Sequence, residues 1–215
     1  MKKVMNLGMA LTLSMLAACG QQQNTSVSQP EQEVPTVQEN QVVKTIMARR
    51  SIRKYKDQPI EDEKLREILK CGINAPNGMH KESWAVRVVN TQNFMEDINK
   101  GFNAFLKKKG MKKEMHPSYG APVLIFIAHD TGYELSQVDC GLLGGNIILS
   151  AQSMGLGTCC LGGLVRYINS PDGADLLKRL EIPASCKLLY AISLGYPDEE
   201  CAAKPRDESK VKFIN

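Results

Sequence analysis

The 215 residues suffice for one domain with a sizeable core and are too few for two full-sized domains plus a leader. Lys and Arg number 27 against 23 acidic residues, a formal charge of +4, and removing Lys2 and Lys3 with a leader leaves 4 − 2 = +2, too mild for a general nucleic-acid binder. The sequence contains no HExxH, GxSxG, CxxC or GxGxxG pattern, so neither a common hydrolase, a metal site nor a dinucleotide fold is indicated.

Lys2 and Lys3 precede an apolar run from Val4 to Leu16 and then LAAC, ending at Cys19. The run is too short to span a membrane and has the form of an export signal. Small residues before a cysteine resemble a bacterial lipobox, which implies cleavage before Cys19 and a diacylglycerol on its sulfur; a plain secretory signal is the alternative. Residues 20–40 are rich in Gln, Ser and Pro without apolar periodicity, the composition of a flexible tether. The expected organisation is a signal at 1–18, a tether at 19–40 and a domain at 41–215. The expected location is outside the cytoplasm, lipid-anchored to a bacterial membrane and facing the periplasm.

QVVKTIMARR (41–50) has a short helical pattern, and PIEDEKLREILKCGINAP (59–76) starts with a proline and acids, carries Leu65, Ile68 and Leu69 on one face and stops at a proline. SWAVRVVN and APVLIFIAHD read as strands, the second apolar enough to lie centrally in a sheet. Between them, FMEDINKGFNAFLKKKGMKKEMH reads as a helix followed by a mobile basic loop whose lysines form a solvated face. SQVDCGLLGGNIILSAQSMGLG is a long, almost uncharged helix that belongs in the core or at a subunit interface. CKLLYAISLGYP closes the core as a strand, and KVKFIN is a short apolar tail. The class is α+β, a mixed central sheet covered by helices.

Besides Cys19 there are Cys71, Cys140, Cys159, Cys160, Cys186 and Cys201, irregularly spaced and without metal-site intervals. Buried thiols are favoured over disulfides. His80, His116 and His129 are far apart, so an enzyme built on this chain would borrow its chemistry from a cofactor.

RRSIRKYKD (49–57) places Arg49, Arg50, Arg53, Lys54 and Lys56 within nine positions. A nucleic-acid patch, a membrane-surface anchor, a solvated helix end and a phosphate clamp all begin with such a cluster. RRSIRKY after a short first helix, APNGMHKESW (75–84), GLGTCCLGG (155–163) and GYPDEECAAKPR (195–206) resemble, in order, segments of the FMN-dependent nitroreductase family over residues 41–215.

That resemblance implies a homodimer with two FMN groups at its interface. Arg49, Ser51, Lys204 and Arg206 become candidates for the phosphate, whose dianion suits charge-assisted hydrogen bonds, with Arg50 beside the ribityl chain and Arg53 near flavin N1 and O2. Negative charge builds there on reduction, so a fixed cation raises the two-electron potential. Pro76, Asn77, Gly78 and Met79 match a loop that covers the flavin of the other subunit, with His80 at its edge and Trp84 packing beneath.

Cys160, Leu161, Gly162 and Gly163 are placed at the N5 edge. Glu82 and Ser83 stand where the family usually has Gln-Pro, which resembles the iodotyrosine deiodinase branch. Gly162 lacks the hydroxyl of that branch, however, and this favours two-electron reduction over reductive dehalogenation. Cys160 is expected to pack rather than react, because nothing near it in sequence lowers its pKa.

The implied function is ping-pong electron transfer through FMN from a reduced donor, NAD(P)H among the candidates, to a nitroaromatic, a quinone or a similar small acceptor. No side chain is assigned as catalytic, and the substrate lid is expected around residues 95–120. Export makes a donor other than NAD(P)H a serious alternative. A non-catalytic flavin- or tetrapyrrole-binding lipoprotein and a polyanion-binding surface protein remain as rival classes.

Overall fold

Eight residues of β-branched and aliphatic sequence set the centre of the molecule. In the computed structural model, which describes residues 40–214, strand β2 (Val123–Asp130) has six consecutive buried positions. Leu124, Phe126 and Ala128 point into one core and Val123, Ile125 and Ile127 into another, so β2 is apolar throughout because both its faces are covered. It pairs antiparallel with β1 (Trp84–Val89) on one side and β4 (Cys186–Gly195) on the other. The sheet is completed by β3 (Gly157–Leu161) against β4, in the order β1-β2-β4-β3. The leader, Cys19 and the tether up to residue 39 lie outside the described residues.

All three strand pairs are antiparallel. The parallel component of the expected mixed sheet is a single bridge between Ser51 and Thr158 at the β3 edge. Strand β3 has no marked alternation, and sequence periodicity did not separate it from the glycine-rich segment around it.

Helix α1 (Gln41–Ala48) is capped by Asn40, whose Oδ1 accepts from the Val42 and Val43 amides at 2.9 and 3.2 Å. Helix α2 (Asp62–Ile73) opens on Asp62 and Glu63 and closes near Lys70, in keeping with the helix dipole. It begins three residues after Pro59. Leu65 and Ile68 are buried as expected, and Leu69 packs at the edge of the same core.

Helix α4 (Ser136–Ser153) buries Cys140, Leu143, Ile147 and Ala151 against α2 and the sheet. Its outer face leaves Val138 58% and Leu142 43% exposed, so only one side of this nearly uncharged helix is used by the core. On the opposite sheet face lie α3 (Gln92–Lys108), α5 (Gly163–Ile168) and α6 (Ala174–Arg179), contributing Ile98, Phe102, Leu164, Tyr167 and Leu176.

The six cysteines among the described residues are unpaired. Cys140 and Cys159 are buried as expected, and Cys71, Cys186 and Cys201 are half-buried. Cys160 corrects the expectation of buried thiols, because it is exposed on an edge strand. Burial pushes the Cys140 thiol up to about 11.

Gly157 lets the basic segment approach β3. A Cβ built there would stand 2.7 Å from Ile52 Cγ1 and 2.9 Å from Ile52 Cβ. Gly157→Ala is expected to push residues 51–53 off the strand and to lower stability by about 1–3 kcal/mol, read as a lower urea midpoint at unchanged slope.

Candidate active site at the edge of β3

The basic segment is held at β3 by its main chain, which leaves its cationic side chains available. The Ile52 amide donates to the Thr158 carbonyl at 2.9 Å next to the Ser51–Thr158 bridge. Ile52 and Tyr55 are buried with Ala121 in a small cluster of their own. Tyr55 Oη donates to the Ile52 carbonyl at 2.7 Å and lies 2.8 Å from Ser193 Oγ in β4. Burial raises the Tyr55 pKa well above its ordinary value, so this phenol remains a neutral donor.

The stretch after β4 runs along the other side of the same segment. The Lys56 amide donates to Tyr196 O at 2.9 Å, Tyr55 bridges Pro197, and the Asp198 amide donates to Lys54 O at 2.9 Å. Glu199 accepts from the Arg53 amide, and Cys201 Sγ lies 3.9 Å from the Ser51 carbonyl. Residues about 146 positions apart are thereby in register. Lys54 is exposed and paired with Asp198 at 2.7 Å, and Lys56 is also exposed, so both serve the surface as expected.

Lys204 and Arg206 follow Cys201 by three and five positions and are exposed, with neither in a salt bridge among the described residues. At about 3.5 Å per residue they lie within roughly 11 and 18 Å of Cys201.

Arg49 and Arg53 share one neighbourhood with β3. Burial raises the Cys159 thiol pKa, and both guanidinium groups oppose that rise. Burial likewise raises Cys160, again against Arg49. Cys160 is exposed at its residue surface, yet its thiol sits against the protein closely enough that desolvation raises its pKa.

The Arg53 guanidinium stands 5.9 Å from the Tyr119 ring centroid and 3.3 Å from the Ser51 carbonyl. Arg50 donates through Nη1 to the carbonyls of Met47 at 2.6 Å and Arg49 at 2.8 Å, while its Nε is buried without a partner. Beside Cys160 and the buried Leu161, Gly162 and Gly163 are exposed, with no atom within 4 Å of a built Cβ.

The second candidate segment is built differently and lies elsewhere. Met79, His80 and Glu82 have φ of 52°, 54° and 46°, three left-handed non-glycine residues within four positions. A buried polar network holds them there. Asp139, in the first turn of α4, accepts from the Gly78 amide at 2.9 Å and from Ser83 Oγ at 2.6 Å, and the Ser83 carbonyl accepts from Ser136 Oγ at 2.6 Å. Asn77 Oδ1 accepts from the Glu82 amide at 2.9 Å.

Gly78 has no room for a side chain, since a Cβ would stand 2.1 Å from Tyr133 Oη. Ser83, which replaces the usual proline, thus has a specific partner in Asp139. Sequence reasoning missed Asp139 and Ser136 because neither belongs to a recognisable motif. The result is a rigid loop with Pro76 exposed and Met79 at 76% exposure. Trp84 is half-buried against the α2/α4 core, as expected for packing beneath the loop.

Within one chain this loop and the arginine cluster do not meet. The loop leads into β1, one edge of the sheet, at the end where Trp84 faces His129. The cluster adjoins β3, the other edge, near the end where Leu194 faces Val123. Three strand spacings separate those edges, about 14 Å.

A helix-covered antiparallel sheet with a cation-bearing edge is the setting in which the comparisons with known proteins fall. Residues 46–196 match the model of the nitroreductase family. An NADPH-flavin oxidoreductase of Vibrio harveyi is 31% identical over 78% of this chain and 70% of its own length. An iodotyrosine deiodinase of Thermotoga neapolitana is 24% identical over 77% of this chain and 93% of its own. A nitroreductase of Bacteroides fragilis with bound FMN superimposes with a TM-score of 0.75 at 26% identity, covering 82% of this chain and all of that one.

The class is therefore that of an α+β oxidoreductase. More narrowly, the chain belongs to the nitroreductase family.

Asp139→Ala would leave the Gly78 amide and the Ser83 hydroxyl without their acceptor. A loss of about 1–3 kcal/mol is expected, together with faster amide exchange at Gly78 and protease cleavage within 76–82, whereas Asp139→Asn, which keeps one acceptor, gives the smaller effect.

Proposed function

We propose that the protein is an FMN-dependent oxidoreductase that passes electrons from a reduced donor, NAD(P)H or another, to small acceptors such as nitroaromatics and quinones in a ping-pong cycle. The observation that carries this reading is the main-chain pairing of Ser51–Lys56 with both β3 and residues 196–201. Arg49, Ser51 and Arg53 stand at one sheet edge, and the chain that runs on to Lys204 and Arg206 passes that edge at Cys201, within reach for both.

Three features of this edge fit FMN. Arg50 Nε is a buried donor lacking an acceptor. Gly162 and Gly163 leave open the space a side chain would fill. Arg49 and Arg53 supply two cations beside Cys159. When bound, FMN supplies the ability to accept two electrons from one partner and release them to another.

The protein's own groups bind and orient. Arg49, Ser51, Lys204 and Arg206 neutralise and grip the phosphate, and Arg50 faces the sugar-like chain. Arg53, steadied by Tyr119 and by Glu199 on its amide, holds positive charge where electrons accumulate. The Gly162 amide and the Cys160–Gly163 backbone line the reactive edge of the ring. Since Gly162 has no hydroxyl to support one-electron chemistry, two-electron transfer is favoured over deiodination.

A homodimer completes the site. The outer face of α4, with Val138 and Leu142, is apolar and uncovered, as are Ile46 and Met47 of α1 and Phe213 near the end of the chain. A second copy seated there would bring Pro76, Asn77, Gly78 and Met79 over the partner's cofactor, a reach the loop does not have within its own chain. Acylation of Cys19 would then hold the dimer at a membrane surface through residues 19–40.

Purified protein is expected to be yellow and to oxidise a donor in the presence of a nitroaromatic or quinone. A coloured but inactive protein would instead be a flavin carrier. Arg49→Ala is expected to weaken FMN by about 1.5–3 kcal/mol while barely changing riboflavin, measured by fluorescence titration of apoprotein; equal losses for both ligands would remove the phosphate clamp. Radiolabelled palmitate should enter the wild-type protein in its bacterial host and not the Cys19→Ala variant.

A further inference from the structure

Arg53 also lines a cavity of about 330 Å³, bounded in addition by Lys113, Glu114, Met115, His116, Tyr119 and Gly120. Residues 113–116 also line a cavity of about 900 Å³ between α3 and the loop that follows it, where Lys100, Lys107 and Lys112 are added to the wall. The two spaces share that loop, and together they present five fixed cations, Arg53 included, against one carboxylate, Glu114.

Lys100 has a distant partner in Glu96 at 4.0 Å. Lys107, Lys112 and Lys113 are in no salt bridge among the described residues. Asn99 also lines the larger cavity, where its Oδ1 is a buried acceptor without a partner that a donor on an occupant, and not its anionic group, would satisfy.

The loop is not a loose basic face, because side-chain hydrogen bonds pin its course. Asn103 donates from Nδ2 to the Met115 carbonyl at 2.9 Å and accepts at Oδ1 from the Met115 amide at 2.8 Å. Left-handed backbone at Gly110, Tyr119 and Gly120 turns the chain at both ends. The uncompensated Lys113 lines the smaller space together with Arg53, with Met115 and Tyr119 as its less polar wall.

We infer that this cleft is a subsite for redox partners that carry an anionic substituent, a carboxylate, sulfonate or phosphate on a flat ring, with Lys112 and Lys113 selecting the anion and Asn103 positioning the loop. The inference rests on the FMN reading, which places the flavin ring beside Arg53. A cationic cleft with low-dielectric walls concentrates such partners and discriminates against neutral analogues, and salt screens the preference.

The test compares 4-nitrobenzoate with 4-nitrobenzamide on FMN-loaded wild type and on the Lys112→Glu/Lys113→Glu double variant. Calorimetric affinities and kcat/KM are both measured, at low salt and at about 0.5 M NaCl. Flavin content is checked first, and a wild-type protein that holds no FMN defeats the functional reading itself.

With FMN in place, wild type is expected to prefer the carboxylate by about tenfold, and either charge reversal or high salt should abolish the preference. The rate of flavin reduction by NADPH and by NADH forms a second arm. A preference for NADPH that the double variant loses supports the same anionic subsite with the donor as its occupant. Parity between the carboxylate and the amide together with parity between NADPH and NADH, or equal losses for both members of each pair in the double variant, overturns the inference while leaving the FMN reading intact.

Discussion

The site depends on a short three-way pairing of backbone. Ser51–Lys56 takes a bridge and a hydrogen bond from β3 on one side and is zipped to residues 196–198 on the other. Main-chain groups do most of this holding, and among the described residues the Arg49 and Arg53 guanidinium groups are in no salt bridge. The arrangement also explains the composition of the stretch: Ile52 and Tyr55 are its anchors, buried in their own cluster, and the cations occupy the positions that face away. Gly157 is small because Ile52 lies where its side chain would be.

The loop before β1 achieves rigidity by other means. Its backbone visits the left-handed region at Met79, His80 and Glu82, a conformation that costs free energy at each non-glycine residue. Asp139 and Ser83 offset that cost through buried hydrogen bonds that tie the loop to the start of α4. The apolar outer face of α4, with Val138 and Leu142, begins beside Asp139, so the loop and that face are tied to one helix start.

Much of this was legible in the sequence, for identifiable reasons. Strand β2 announced itself because a strand buried on both faces must be apolar without alternation. The charge run at 49–57 reads as a clamp only through the order of the four motifs, since charge alone fits a solvated surface equally well. Strand β3 was not legible: five residues, two of them adjacent cysteines, carry too little pattern to distinguish a strand from a glycine-rich turn. Neither was the Asp139 network, because its members are joined across 56 and 61 positions by the fold and share no local motif. The exposure of Cys160 followed from β3 being an edge strand, which spacing along the chain does not reveal.

The 146 positions that separate Arg53 from Glu199, which accepts from its amide, have a consequence for the order of assembly. Contacts that close so long a stretch carry a large entropic cost and tend to form after the local hairpins and helices are in place. This edge is therefore a late product of folding, absent from any intermediate in which β4 has yet to dock. A phosphate-bearing ligand that recognises only the finished edge would act as a latch on the completed molecule, favouring it over its precursors by mass action.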